Sequence, residues 1–310
     1  MKKISIVSPC YNEEQNVEIL YRKTKEQFEL HLGNYQYEHI FIDNASTDNT
    51  VAILKKMAAA DSRIKIIVNA RNFGHIRSPF YGLLQADGDA VMLLVSDLQD
   101  PPELIPSFVQ KWEEGYKITA GVKVQAEESS FFFFARKTYY NILDNLSEVR
   151  MIRNYTGFGL YDKSIIELLK SLNDPYPFLR GLICEFGFEK AIIPYKQPLR
   201  KRGITKNNFY TLYDIGILGL TSHSKKLLRL VTLIGFLIGI ISFFVSVFYF
   251  IYKLVYWDSF TVGIAPVVFG LFFFSSVQLF FLGIIGEYIG NIYTKIMNRP
   301  IVVENERINF

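Results

Sequence analysis

The residues equipped for chemistry gather in four short polar segments near the amino terminus. In Ser96-Asp97-Leu98-Gln99-Asp100-Pro101-Pro102-Glu103, Asp97 and Gln99 offer hard oxygen ligands two positions apart. They suit Mg²⁺ or Mn²⁺, and an ion so held would neutralise a departing diphosphate. Ser8-Pro9-Cys10-Tyr11-Asn12-Glu13 sets a flat ring beside a carboxylate, fit to stack on a base and accept from ribose hydroxyls. A turn followed by a helix cap explains the same residues equally well. In Asp43-Asn44-Ala45-Ser46-Thr47-Asp48 the last three are helix-capping types, whereas Asp43 stands at a strand end where it can accept from a base N–H. Arg71-Asn72-Phe73-Gly74-His75 brings a cation and a glycine to a helix start, a usable phosphate environment.

These segments punctuate a regular alternation. Ile4–Ser8, His39–Ile42, Ile64–Val68 and Ala90–Val95 read as short β-branched or apolar strands. Asn16–Leu30, Thr47–Ala60 and Ser78–Ala86 carry helical apolar spacing. Strand and helix in turn imply an α/β fold with a mainly parallel sheet covered by helices. Ligands of such sheets sit beyond the carboxyl ends of the strands, where the loops after Ser8, Ile42, Val68 and Val95 should converge.

The second part of the chain has a different composition. Leu230–Tyr252 runs 23 residues without a charge and Ser259–Gly286 runs 28, each long enough to cross a hydrocarbon core of about 30 Å. Two transmembrane helices joined by the short Lys253–Asp258 loop are expected. Lys225, Lys226 and Arg229 precede the first, and Lys295 and Arg299 follow the second, which puts both termini in the cytoplasm. Phe209 to Leu220 with its basic neighbours reads either as an interfacial amphipathic helix or as a plain linker. Net charge is only +4, too small to suggest nucleic-acid binding, but the Lys and Arg cluster at 196–206 and 225–229 suits an anionic membrane surface. Cys10 and Cys184 match no metal spacing and are expected to be reduced. The apolar run of MKKISIVSPC is too short for a signal-peptide core.

Taken in order and spacing, SPCYNEE, IDNASTD, RNFGH, DLQDPPE, RGITK and GEYIGNIY with NRP resemble the family-2 glycosyltransferases that load sugars onto polyprenyl phosphate. The nearest groups are the GtrB-type bactoprenol glucosyltransferases and the dolichol-phosphate mannose synthases, and the likeness spans nearly the whole chain. It implies a GT-A nucleotide-sugar-binding domain followed by a two-helix transmembrane hairpin. The expected boundaries are a cytoplasmic domain at 1–206, an interfacial segment at 207–228, the hairpin at 229–294 and a cytoplasmic tail at 295–310. The resemblance further implies that Pro9, Tyr11, Glu13, Asp43 and Arg71 hold the nucleotide. Asp97 and Gln99 would take the metal and, with Arg136, form the catalytic set. Lys123, Arg202 and Lys206 would meet the acceptor phosphate.

The activity so implied is inverting transfer of a hexose, UDP-glucose being the leading donor, to undecaprenyl phosphate at the cytoplasmic face of the plasma (inner) membrane. Its partners would be the nucleotide-sugar, the lipid acceptor, the membrane and further copies of the chain in a tetramer. Surface charge remains an alternative reading of Lys123 and Arg136, as does core packing for Phe131–Phe134 and a helix-orienting role for Glu287. Three positions depart from the family. Val95 stands where an acid usually precedes Asp97 by two residues, Asn44 replaces the second acid of a pair, and Gly157-Phe158-Gly159-Leu160 replaces Asp-Phe-Arg-Leu. The alternatives are therefore a GDP-mannose or amino-sugar donor on the same fold, or a catalytically silent scaffold that binds nucleotide-sugar or lipid.

Overall fold

The computed structural model describes residues 1–125, 151–198, 218, 226–256, 264–297 and 299–310. Arg136, Arg202, Lys206, Phe131–Phe134 and nearly all of the expected interfacial segment lie outside the described residues.

Strands β1 (Lys3–Cys10), β2 (Gln36–Asp43), β3 (Ile64–Asn69) and β4 (Ala90–Leu93) pair in parallel, with helices α1 (Val17–His31), α2 (Thr50–Ala60) and α3 (Gly74–Gln85) crossing between them. A 3-10 turn (Pro102–Leu104) leads into α4 (Ile105–Glu113), then β5 (Ile118–Gln125). After β6 (Tyr155–Asp162) come α5 (Lys163–Ser171), α6 (Leu179–Glu185) and β7 (Lys190–Lys196). Two long helices follow, α7 (Lys226–Val255) and α8 (Ile264–Ile296), and the chain ends in β8 (Glu304–Ile308). The sheet order is β7-β5-β6-β4-β1-β2-β3-β8, with β6 antiparallel to β4 and β5, and β8 antiparallel to β3.

Both faces of the sheet are covered, so β2 is buried from Tyr37 to Asp43 without interruption. Ile4, Ile6 and Phe41 pack beneath α1, α2 and α4 with Leu20, Leu54 and Phe108. Val7, Ile40 and Ile42 face the other way, onto Phe80 and Leu83 of α3 and Ile165 of α5. At the sheet end away from the polar loops, the buried Glu38 carboxylate accepts from Ser5 Oγ at 2.5 Å and pairs with Lys3 and Lys65 Nζ, each at 2.7 Å. Next to it, fully buried His39 shares a 2.8 Å hydrogen bond through Nε2 with Ser8 Oγ.

The expected elements exist, with shifted ends. Helix α2 starts at Thr50 rather than Thr47, because Ser46 and Thr47 bond across to another loop. Helix α3 begins at Gly74 rather than Ser78: Asn72 Oδ1 accepts from Gly74 N at 2.8 Å and starts the first turn ahead of the internal Pro79. Strand β4 stops at Leu93, short of Val95.

Helices α7 and α8 are long and apolar enough to cross a membrane. Almost none of their most apolar residues is buried: 6% of the Leu228–Val245 window and 0% of Gly270–Ile296. A core helix of a soluble protein would have its apolar surface covered, and these expose Phe236, Phe243, Phe272 and Phe280. The carboxyl end of the pair attaches to the α/β domain. Lys295 near the end of α8 pairs with Asp174 at 2.9 Å, and the tail then returns as β8, with Ile66 opposite Ile308 and Val68 opposite Glu306. The last eight residues are thus not a free appendage but the edge of the sheet.

Candidate active site

Four segments meet at the carboxyl end of the parallel strands, and the first two are laced together. Asn12 N donates to Ser46 Oγ at 2.8 Å, Thr47 N to Asn12 Oδ1 at 2.7 Å, and Glu13 N to Thr50 Oγ1 at 2.9 Å. The buried Asp43 carboxylate accepts from Ser46 N at 2.9 Å and Ser46 Oγ at 2.5 Å. Burial raises its pKa, and those Ser46 bonds work against the rise. Of the expected caps only Asp48 serves α2, accepting from Thr50 N at 3.0 Å. Burial would raise its pKa too, but the Thr50 and Glu14 bonds prevail and lower it. Glu13 accepts from Asn16 Nδ2 at 2.6 Å at the start of α1.

Asn44 organises the third segment. Its amide donates to Asn72 Oδ1 at 2.9 Å and Gly74 O at 3.2 Å, and its oxygen accepts from Phe73 N at 2.9 Å and Asn69 Nδ2 at 3.2 Å. A carboxylate could supply only the accepting half of this set, so the departure from an acidic pair has a structural reason. Arg71 is exposed, folds over the Phe73 ring at 4.1 Å and donates to Asn72 O at 3.1 Å.

The fourth segment carries Asp97, whose Oδ1 accepts from Gln99 N at 3.1 Å. Three residues on, Asp100 is buried and accepts from Tyr195 Oη at 2.5 Å, joining the loop to the end of β7. Burial pushes Asp100 up to about 6, against the Tyr195 bond and the positive charge of Lys123, while the charge of Asp97 adds to the rise. Asp97, Asp100, Lys123 and Tyr195 therefore form one electrostatic group. Ser96 Oγ is buried beside them without a hydrogen-bond partner. Left-handed backbone occurs at Asn12, Ala45 and Leu98, one in each of three of these loops. For Ala and Leu this conformation costs energy, and such strain clusters where loops are shaped for a ligand.

Asp97, Leu98 and Glu103 line a cavity of about 430 Å³ with Asn16 just before α1, Ile19 and Lys23 of α1, and Lys196 at the end of β7, within the size range of ligand sites. Tyr11, Glu13 and Asp43 are not among its lining residues. Among the described residues no three His, Cys, Asp or Glu side chains cluster to hold a metal by themselves. The donor set instead fits a hard cation that keeps its waters and shares substrate phosphates, for which one protein carboxylate is enough. Asp97 would be that carboxylate.

On β6 the departures from the acidic-basic pattern are built in. Gly157 adopts φ +105°, and Tyr161 Oη, itself bonded to Tyr155 Oη, donates to its carbonyl at 2.7 Å. A Cβ on Gly159 would stand 2.6 Å from the Thr119 carbonyl and 3.3 Å from Tyr161 Oη. No larger residue fits there without shifting the Thr119 backbone on the neighbouring strand.

Inspection of the sequence missed Asp100, Tyr195 and the bridging amide of Asn44. Asp100 stood in view within DLQDPPE, but Tyr195 lies 95 residues away and no local pattern marks it.

A twisted α/β sheet with parallel β1 to β4, an antiparallel β6 and polar loops gathered at its carboxyl edge defines the GT-A class of nucleotide-sugar glycosyltransferases. Residues 5–169 match the family model for glycosyl transferase family 2, and the chain belongs to that family. It is 32% identical to the uncharacterized glycosyltransferase YkcC of Bacillus subtilis (strain 168), covering 98% of this chain and 96% of the relative. Identity is also 32% with the SfII prophage-derived bactoprenol glucosyl transferase of Shigella flexneri, over 99% of each. Among solved structures, glucosyl-3-phosphoglycerate synthase of Mycobacterium tuberculosis with Mn²⁺, uridine-diphosphate and phosphoglyceric acid superposes with a TM-score of 0.49 and 18% identity, over 74% of this chain and 78% of that one.

Proposed function

We propose that this glycosyltransferase moves a hexose, with inversion, from a uridine diphosphate donor, UDP-glucose foremost, to undecaprenyl phosphate at the cytoplasmic face of the plasma membrane. The observation that carries the reading is the union in one chain of the Asp97–Asp100–Lys123 cluster with two uncovered apolar helices, the second of which is tied at its carboxyl end to the same domain. A water-soluble acceptor would give such helices no purpose, whereas a lipid phosphate requires the catalytic edge to stay near a bilayer. Full-length likeness to a bactoprenol glucosyl transferase supports the same acceptor class.

In the reaction, an acceptor phosphate oxygen attacks the anomeric carbon, forming the new C–O bond. The bond to the diphosphate breaks on the opposite face, and its electron pair leaves with UDP. A phosphate monoester is already anionic near neutral pH, so no side chain has to remove a proton. Glycine at 157, where the family carries an acid, is compatible with this chemistry. Asp97, with Gln99, would hold Mg²⁺ or Mn²⁺, which supplies charge neutralisation for the leaving diphosphate. Lys123 faces the same group from β5, and its charge lowers the pKa of Asp100. Pro9, Tyr11, Glu13, Asp43 and Arg71 are proposed for the nucleotide. Arg136 is proposed for the catalytic set, and Arg202 and Lys206 for the acceptor.

The test is a screen of UDP- and GDP-sugars with undecaprenyl phosphate and Mg²⁺ or Mn²⁺, followed by chromatography of the lipid fraction. Sugar-labelled lipid from a UDP-hexose is the expected result. Product from a GDP-sugar alone would overturn the donor assignment, and no product from any donor would favour a silent binding scaffold.

A further inference from the structure

Two cavities flank the carboxyl edge of the sheet. The one at Asp97 lies on the face covered by α1, and a smaller one, of about 60 Å³, lies on the other face between β4, α3 and α6. A single water needs roughly 10–15 Å³ of such space, so the smaller cavity has room for about four groups of that size, as a phosphate requires. Leu93 and Phe178 give it apolar walls, but Arg180 and His75 line it as well, with the exposed Thr156. Burial raises the pKa values of Tyr155 and Tyr161 and the charge of Arg180 opposes the rise, so the guanidinium is held close to β6. Arg77, next on α3, lies over the Tyr176 ring at 5.0 Å with its Nε buried and without a hydrogen-bond partner. Among the described residues neither arginine forms an ion pair. Positive charge held against apolar walls without a counterion is unfavourable, and an anion in the cavity would offset it. The cavity also lies toward the membrane helices. Lys295 of α8 pairs with Asp174, and the chain runs from there through Tyr176 into the cavity wall at Pro177 and Phe178. After α8 the chain re-enters the sheet at this same edge, with Glu304 opposite Asn69.

We propose that this cavity receives the phosphate group of the lipid acceptor, with Arg180 and His75 on its oxygens. The proposal rests on the glycosyltransferase reading above and adds to it two residues that stand apart from the basic segment after β7. Inversion supplies the geometric reason, because the attacking oxygen and the departing diphosphate must lie on opposite sides of the anomeric carbon. A diphosphate held at Asp97 on one face of the sheet edge leaves the other face for the acceptor. Thr156 links the two, since it hydrogen-bonds Tyr195, whose hydroxyl is bound to Asp100. One phosphate oxygen forms the bond to the anomeric carbon as the bond to the diphosphate breaks, while the others stay on Arg180 and His75. A neutral group in the cavity would leave the Arg180 charge unpaired.

The experiment uses the full chain in detergent micelles. Transfer kinetics with varied undecaprenyl phosphate and varied UDP-hexose are set beside calorimetric titrations with farnesyl phosphate, farnesol, inorganic phosphate and UDP. Arg180→Gln removes a charged donor and should raise KM for undecaprenyl phosphate about tenfold or more, while KM for the UDP-hexose and affinity for UDP stay within about twofold. Arg180→Lys keeps the charge and should recover most of the loss. His75→Gln, at an exposed position, should give a smaller rise in the lipid KM at an unchanged melting temperature. Farnesyl phosphate should bind to the wild-type chain and farnesol should not. Equal losses for lipid and nucleotide, or a loss of UDP affinity with the lipid KM unchanged, would overturn the assignment by making Arg180 a structural or a diphosphate group. Inorganic phosphate bound as tightly as farnesyl phosphate would overturn it in favour of a free-phosphate site. Absence of transfer from every donor refutes the enzymatic reading, and farnesyl phosphate titrated into wild type and Arg180→Gln then still decides whether the cavity holds a lipid phosphate.

Discussion

At the scale of single residues, Asp97 and Asp100 have opposite tasks although both are carboxylates of one short loop. Asp97 is half-exposed at a cavity mouth, whereas Asp100 is buried under the Tyr195 hydroxyl. The second holds the loop, and the first is the one proposed to meet the ligand. Tyr195→Phe removes the donor from a buried carboxylate and should cost about 1.5–3 kcal/mol of stability, read as a lower urea midpoint. An unchanged midpoint would show that the bond holds nothing. Asp97 and Glu103 both line the cavity, but Glu103 is paired with Lys23 at 2.6 Å, so the divalent ion should bind as a nucleotide complex. Mn²⁺ titrated by electron paramagnetic resonance should bind weakly to the chain alone and much more tightly with UDP present. Equal affinity in both conditions contradicts the assignment of Asp97 as the lone carboxylate ligand.

Among the elements, β2 couples the structural and the ligand-facing ends of the sheet. At its buried start His39 is held neutral: burial drives its pKa from the ordinary value near 6.5 down to about 3. Below pH 6.5 the unfolded chain therefore binds a proton that the fold refuses. This contribution is complete above pH 6.5 and is lost as the pH falls toward 3, by about 2 kcal/mol between pH 7 and pH 5. His39→Gln should flatten that part of the stability curve, and an identical slope in both proteins would exclude His39 as the cause. At the other end of β2, Asn44→Asp replaces donors to Asn72 and the Gly74 carbonyl with a carboxylate facing them. It should destabilise the loop by about 1–3 kcal/mol and weaken UDP binding, seen in thermal melts and titration. These elements were largely legible in the sequence, because Ile40–Ile42 and Ile66–Val68 are short apolar runs with β-branched residues and α1 repeats with helical spacing. Their ends were not. Whether Ser46 caps a helix or ties two loops together depends on Asn12, 34 positions away, and Phe73-Gly74 reads as loop until the Asn72 side chain starts a helical turn there.

On the scale of the whole molecule, the apolar pair α7 and α8 is joined to the α/β domain at the carboxyl end of α8, through Lys295 and β8. The runs of uncharged residues made both helices plain from the sequence. The return of the tail as β8 was hidden, since ENERI has no apolar run and its residues alternate between half-buried and exposed. Deleting residues 303–310 would uncover the β3 edge and remove the Asn309 bonds to the Ala58 and Ile64 carbonyls, both 2.9 Å. The melting temperature should fall by about 4 °C or more, and no change would mean that the tail strand is dispensable. The candidate site was legible where its residues sit in contiguous motifs, as with Asp97 and Asp43; Lys123 and Gly157 came into view only through the family resemblance, and Tyr195 was illegible because β7 brings it in from 95 residues beyond Asp100.

The most direct measurement is transfer of radiolabelled sugar from a UDP-hexose to undecaprenyl phosphate by the purified full chain, set beside Asp97→Ala at equal folded concentration. The account predicts labelled lipid from the wild-type chain and a fall of about 100-fold or more in the variant, the scale of losing an electrostatic group that stabilises the leaving charge. Undiminished transfer by Asp97→Ala would contradict it.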